Sequence, residues 1–417
     1  MKQLLKSIVL DWWNNPLPII IPREQSLLEY INLPIRKAIC VTGFRRVGKT
    51  YLLYDLASKL GKENCVYINF EDERLPRTTD VLTQLLEVVT ELMGNKGVIL
   101  LMDEIQNIPK WSLWARRVLD STPHQLFISG SSSQISSSEL PTEMRGRSLS
   151  VHVSPLSLVE FFKFKNFDPI SQTHPHILHY IQEYLTYGGF PEVILADEGK
   201  KPLILDEYFQ TFMLRDLVER YHLRNVLGLK LFLKLLIDSP YFTLSKMANN
   251  IKSQGLEISK PTLSRYLEYF KSSYFVSPLY LHTASLKNRY QAAQKPYFVD
   301  SGFVSRLSAK FSLNQGRLLE QLVYHKLASG DNVYYWQDYS KHEVDFVVRN
   351  KESVTHLVQA CHVSEGEIIP EREIPSLIKA AKEFYCHKLT LVTWDMEQTL
   401  KVSGETIEAI PLWKFLS

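Results

Sequence analysis

Residues 43–50 read Gly43-Phe44-Arg45-Arg46-Val47-Gly48-Lys49-Thr50, the GxxxxGKT pattern of a phosphate-binding loop. Such a loop turns backbone N–H groups inward around phosphate oxygens, where a Cβ would clash, and the helix that follows presents its positive end to the anion. In that chemistry Lys49 reaches the β- and γ-phosphates and Thr50 holds Mg²⁺. Further along, an apolar run ends in Leu101-Met102-Asp103-Glu104. Asp103 is suited to take Mg²⁺ directly or through water, and Glu104 to polarise the attacking water. ATP and Mg²⁺ are therefore the expected cofactors. The expected nucleotide-binding residues are Gly43, Arg45, Arg46, Val47, Gly48, Lys49, Thr50 and Tyr51, with Thr50 and Asp103 as the metal pair and Lys49 and Glu104 as catalytic groups.

These residues need a scaffold that brings them to one edge. Lys37-Ala38-Ile39-Cys40-Val41-Thr42 reads as a short buried strand, and residues 50–60 carry Leu52, Leu53, Leu56, Ala57 and Leu60 at helical spacing before Gly61 stops the helix. A second strand, 65–70, runs into Glu71-Asp72-Glu73, and a third, 97–102, delivers Asp103 and Glu104 at its carboxyl end. In a parallel sheet those ends converge on the ligand crevice. A fourth strand, 125–129, leads into Gly130-Ser131-Ser132-Ser133. There Ser131, or its neighbour Ser132, is a candidate sensor of the γ-phosphate, although a serine-rich turn also serves as a plain loop. Arg145 and Arg147 follow, and either could neutralise charge on the transferring phosphoryl group, within its own subunit or across to a neighbour. Arg147 is the one taken as catalytic.

At 417 residues the chain is too long for one typical core, so two or three domains are expected. A net charge of +3 neither demands nor excludes a nucleic-acid partner. Cys40, Cys65, Cys361 and Cys386 lack metal-ligand spacing and read as reduced thiols of a cytoplasmic protein. The first residues are interrupted by Lys6 and Asp11, no small-residue cleavage site follows, and no stretch has the length of a membrane helix. Residues 7–15 read instead as an amphipathic lead-in packed on the nucleotide-binding core.

An apolar helix through Val159, Phe161, Phe162 and Phe164 precedes a polar stretch at 166–175, which marks the end of the first unit. Helices are expected at 176–187 and 204–221, separated by the rigid turn Gly188-Gly189-Phe190-Pro191-Glu192. Residues 243–250 and 261–270 read as two helices of a winged-helix unit, the second presenting Lys260, Thr262, Ser264 and Arg265 outward, where a recognition helix meets phosphates and bases. Packing alone is the competing role for such a unit.

From residue 316 the order is helix (317–328), strand (332–337), strand (343–349), strand (355–363), helix (374–384) and strand (388–393). This matches a nuclease-like core, in which a helix Glu, a strand Asp and an acid-x-Lys hold a metal and a water against a phosphate. Glu320 and Asp345 stand in the first two places, with Glu343 on the same strand face as Asp345. The third place is Gln359-Ala360-Cys361. Gln359 binds Mg²⁺ more weakly than a carboxylate, and Cys361 cannot replace the lysine. Glu320, Asp345 and Gln359 therefore read as a residual polar network rather than a cutting site.

Through these residues nearly the whole chain resembles the bacterial and archaeal AAA+ ATPases whose amino-terminal P-loop domain is fused to a domain of unknown function with a restriction-endonuclease-like end. The matching motifs are residues 43–50, residues 100–106, Ser129-Gly130-Ser131, and Gly146-Arg147 ahead of Pro155-Leu156-Ser157. They continue with Tyr187-Gly188-Gly189-Phe190-Pro191, Tyr297-Phe298-Val299-Asp300-Ser301-Gly302 and Glu343-Val344-Asp345-Phe346. The resemblance implies an α/β chain: a P-loop parallel-sheet core at 1–165, a helical lid at 166–235, a winged helix at 236–310 and a nuclease-like α/β domain at 311–417. It implies an ATPase acting as a nucleotide-driven switch, with DNA or a protein as partner and the oligomeric state open. Two alternatives stand beside it, a DNA-processing enzyme with a regulated nuclease tail and a scaffold that holds ATP without turnover.

Overall fold

The opening helix α1 (Lys2–Asn14) lays Leu5 and Val9 into an apolar core. Near its end, Trp12 and Trp13 each donate an indole N–H to the Cys65 carbonyl, at 3.0 and 2.9 Å. The apolar spacing already starts at Leu4 and Leu5, so the helix begins several residues before the lead-in expected at 7–15. Next come β1 (Ala38–Thr42), α2 (Lys49–Leu60), β2 (Cys65–Asn69), α3 (Thr79–Met93), β3 (Ile99–Asp103), α4 (Trp111–Ser121), β4 (Gln125–Gly130) and β5 (Ser148–His152). All five residues of β1 are buried, as a central parallel strand requires.

This is a computed structural model, and it describes residues 1–31, 33–130, 135, 144–308, 315–328 and 332–417. The chain forms two units, Met1–Pro155 with Ser272–Tyr274, and Leu156–Lys271 with Phe275–Ser417. In the first unit the five strands form one sheet in the order β2-β3-β4-β1-β5, each pair of neighbours parallel. The order has a direct consequence for chemistry. β4 lies between β1, whose end opens the phosphate loop, and β3, whose end carries Asp103. Residues at the end of β4 therefore face both.

The second unit starts with α5 (Leu158–Phe164), whose first turn is closed by a reciprocal Ser157–Glu160 capping box. Helices α6 (His174–Tyr187), α7 (Pro191–Leu195) and α8 (Lys201–Thr211) follow. The single helix expected at 204–221 is α8 continued by a π-helical stretch, Phe212–Glu219. Next are α9 (Val226–Ile237), α10 (Leu244–Ser253) and α11 (Lys260–Ser272), then the hairpin of β6 (Val276–Leu279) and β7 (Lys295–Phe298), which encloses α12 (Leu286–Gln291). α11 buries Leu263, Tyr266, Leu267 and Phe270 and leaves Lys260, Ser264 and Arg265 exposed.

After α13 (Ser301–Leu307) and α14 (Gln315–Ala328), the strands β8 (Asn332–Gln337), β9 (Glu343–Arg349) and β10 (Val354–Ala360) run antiparallel. Helix α15 (Glu373–Phe384) then crosses to β11 (Leu389–Thr393), which is parallel to β10. The hairpin β12 (Gln398–Val402) and β13 (Glu405–Pro411) extends the sheet to six strands, β12-β13-β11-β10-β9-β8, and α16 (Leu412–Leu416) follows. Asp300 ties two of the sequence motifs together in this unit. Its carboxylate accepts N–H bonds from Gly189 at 2.7 Å and Gly302 at 2.9 Å, and a Cβ on Gly188 would lie 1.7 Å from its Oδ1. Only glycine leaves room there. Among the described residues no helix is long and apolar enough to cross a membrane.

Candidate nucleotide site

The phosphate loop joins β1 to α2 through three left-handed positions, Gly43 (φ 145°), Arg46 (φ 69°) and Gly48 (φ 98°). A Cβ built on Gly43 would stand 2.2 Å from the Val153 carbonyl oxygen, so the loop passes close to the chain beyond β5 and tolerates no side chain there. Arg23 braces the loop from outside, donating to the Val47 carbonyl at 2.9 Å and to the Ser154 carbonyl at 3.0 Å. Lys49 is buried, and its ammonium donates to the carbonyls of Gly43 at 3.1 Å and Phe44 at 3.0 Å, folded back over the loop it closes.

Asp103 is the centre of the site. Thr50 donates to its Oδ2 at 2.7 Å, Tyr67 donates to the same oxygen at 2.9 Å, and Ser129 donates to Oδ1. Burial and the adjacent Glu104 push the Asp103 pKa above the usual carboxylate range, and the three hydroxyls pull it back. Glu104 occupies the left-handed region at φ 52°; its backbone N–H donates to Ser129 Oγ at 3.3 Å, and Gln106 Nε2 donates to its carboxylate.

The structure thus brings Lys49, Thr50, Asp103 and Glu104 to the carboxyl edge of one sheet. Around them Arg45 pairs with Glu71 at 3.3 Å, and Tyr51 lies on the outer face of α2, half exposed, with its ring 5.8 Å from that of Tyr54. Arg147 sits in the turn before β5 and is ion-paired with Asp120 of α4. Ser131 lies outside the described residues. Sequence reasoning passed over Tyr67 and Ser129, both of which touch Asp103. The place of Ser129 at the carboxyl end of β4, beside β3, is the signal that could have found it, whereas Tyr67 stands in the middle of β2.

The residues present fit a magnesium nucleotide. Three positive-φ positions shape the loop, Gly43 leaves no room for a Cβ against the Val153 carbonyl, a buried ammonium is folded over the loop, and a hydroxyl and a carboxylate lie 2.7 Å apart beside it. Thr50 and Asp103 would hold Mg²⁺, whose remaining positions suit phosphate oxygens and water.

In the second unit Glu320, Asp345 and Gln359 also come together, around a residue that sequence reasoning did not select. Lys295, fully buried on β7, places its ammonium 2.8 Å from Glu320, 2.8 Å from Glu343 and 2.6 Å from Asp345. Burial works to lower its pKa, but Asp345 and Glu320 outweigh it and hold the ammonium well above the ordinary lysine value. Gln359 accepts from the Asp345 backbone N–H at 3.1 Å and donates to Glu373 at 2.5 Å. Cys361 stays a thiol, its pKa pushed by burial up to about 11. The cluster lines a cavity of about 510 Å³, with Tyr241, Arg317 and Arg372 also on its walls. Among the described residues no group of three or more His, Cys, Asp or Glu is arranged to hold a metal ion.

Fold and site together define a protein with a P-loop domain of the AAA type. A family model described as an AAA domain matches residues 35–162, and one described as a domain of unknown function (DUF8612) matches residues 178–314. The chain is 35% identical over 406 residues to "Uncharacterized protein MJ1544" of Methanocaldococcus jannaschii, covering 92% of this chain and 89% of that one. It is 28% identical over 352 residues to an uncharacterized protein of Haemophilus influenzae, with 82% and 86% covered. This chain belongs to the family of the M. jannaschii protein. Among solved structures it is similar to the Walker-type ATPase PABY2304 of Pyrococcus abyssi, at a TM-score of 0.45 and 14% identity over 74% of this chain and 95% of that one. An AAA domain implies nucleotide binding.

Proposed function

We propose that this protein binds ATP with Mg²⁺ on the 43–50 loop, hydrolyses it, and uses the cycle to switch the state of its second unit. The observation that carries this reading is the convergence of Lys49, Thr50 and Asp103 on one cradle, with Glu104 one residue on. Mg²⁺ would neutralise charge spread across the β- and γ-phosphates. Lys49 would turn from the loop carbonyls to phosphate oxygens, Thr50 and Asp103 would hold the metal, and Glu104 would accept the proton of the attacking water. Arg45, Arg46, Val47 and Tyr51 border the nucleotide. Arg147, released from Asp120, adds positive charge at the transferring group, and Ser131 reports the loss of the γ-phosphate.

In the second unit we assign residues 166–235 as lid, 236–310 as winged helix and 311–417 as a nuclease-like fold without cleavage. The last point is supported by Lys295, whose ammonium takes up the carboxylates that a catalytic metal would need. DNA is the partner best matched by the outward Lys260, Ser264 and Arg265 of α11.

The test is steady-state ATP turnover of the full chain, alone and with duplex or single-stranded DNA, using Lys49→Ala as the blank. Turnover that disappears in Lys49→Ala supports the ATPase, and stimulation by DNA supports the DNA-linked switch. Turnover equal in the two proteins would remove the ATPase reading. Turnover that ignores DNA would move the partner to a protein.

A further inference from the structure

We propose that Tyr67 is a positioning residue for the magnesium carboxylate: its phenol hydroxyl holds Asp103 in the orientation that faces Thr50, and so sets how much divalent ion the nucleotide site requires. The inference rests on the nucleotide reading above and adds a residue to it that no loop or strand-end motif contains.

On β2, Asn69 is paired with Asp103 and Tyr67 with Leu101, so Tyr67 and Asp103 project from the same face of the sheet, two residues apart along adjacent strands. A phenol is long enough to cover that offset, and its hydroxyl reaches Asp103 Oδ2 at 2.9 Å. A Ser or Thr at 67 would stop short.

Asp103 is almost wholly buried, and its two oxygens receive three hydroxyls. Thr50 is the one committed to the cation, because its oxygen would bind Mg²⁺ through a lone pair while its proton still points at Asp103, so it follows the metal rather than holding the carboxylate independently of it. Ser129 on Oδ1 and Tyr67 on Oδ2 are then left to fix the rotation of the carboxylate, one on each oxygen. Donors that orient a metal-binding carboxylate from behind commonly govern metal affinity about as strongly as the ligands themselves.

Tyr67 is also built not to move. Its ring is 5.1 Å from Tyr54 in an edge contact and 5.0 Å from Trp12, whose indole is in turn anchored on the Cys65 carbonyl. A ring needed for packing alone would not require the hydroxyl, and Tyr67→Phe separates the two roles.

The experiment is equilibrium binding of a fluorescent ADP analogue to wild type, Tyr67→Phe and Lys49→Ala, first in EDTA and then over a titration of free Mg²⁺. Melting curves confirm that each protein is folded at the working temperature. For Tyr67→Phe we expect affinity in EDTA within about twofold of wild type and a Mg²⁺ half-saturation point raised about tenfold. An unchanged half-saturation point would overturn the assignment, and so would a parallel loss of affinity in EDTA, which would make Tyr67 a packing residue. Wild type that binds no more analogue than Lys49→Ala would instead bring down the nucleotide reading itself, and this assignment with it.

Discussion

Glu104 combines a left-handed backbone with a carboxylate tied to Gln106, one residue after the carboxylate that gathers three hydroxyls. A non-glycine residue in that region is uncommon and marks a position held by its surroundings. Replacing Glu104 with Gln keeps the shape and removes the proton acceptor. Turnover should fall on the order of 10²- to 10⁴-fold, as for loss of a general base, while ADP affinity is unchanged; single-turnover kinetics and binding on the same preparation check both. Asp300 gives a second prediction at this scale. Burial raises its pKa to about 7, although the Gly189 and Gly302 N–H groups pull it down. In the unfolded chain an aspartate titrates near about 3.9. Between those values the folded protein holds a proton that the unfolded chain has released, so stability falls as pH rises from about 4 to about 7. Thermal melts of Asp300→Asn should show a flatter slope over that window than wild type, and an equal slope would contradict the assignment. The residues legible in the sequence were those whose chemistry is local. Lys49 and Thr50 lie inside one loop, and Asp103 and Glu104 close one strand. Tyr67 and Lys295 acquire their meaning from partners 36 and 50 residues away, so no short pattern points to them.

At the scale of elements, the Lys295 ammonium ties β7 to α14 and β9 through three carboxylates. Removing one partner of a buried ionic group leaves uncompensated charge and costs about 3–5 kcal/mol. Lys295→Met should therefore lower the unfolding free energy of the second unit by that order, read as a lower denaturant midpoint, and simultaneous replacement of Asp345 by Asn should recover part of the loss. Equal midpoints for wild type and Lys295→Met would show that the ammonium adds nothing to stability. The elements most visible in sequence were the buried strands β1, β3 and β4, which read as continuous apolar runs. β5 escaped because only Val151 among its residues is buried, as suits a strand at the edge of the sheet. β12 escaped for a similar reason, since none of its residues is fully buried and it pairs only with β13.

At the scale of the molecule, the chain forms one unit around the parallel sheet and a second that gathers everything from Leu156 to the last strand, apart from residues 272–274. The sequence suggested a finer division of the second unit, with boundaries near residues 235 and 310. A ligand that binds only folded unit 1 stabilises that unit by mass action. Calorimetry with and without Mg²⁺ and ADP should raise the temperature of the transition belonging to unit 1, and Lys49→Ala should abolish the shift. A shift that survives in Lys49→Ala would place the ligand elsewhere. The π-helical stretch Phe212–Glu219 matters here in a different way. Its hydrogen bonds reach one residue further than those of an α-helix, so it accommodates one more residue than the same turns would otherwise hold. Phe212, Met213, Asp216 and Leu217 are buried, while Leu214 and Arg215 stand outside. Loss of one of those two outer residues would let the stretch tighten into ordinary α-helix without rotating the turns on either side. This is a place where the gene can shorten by one codon and the fold downstream can keep its phase.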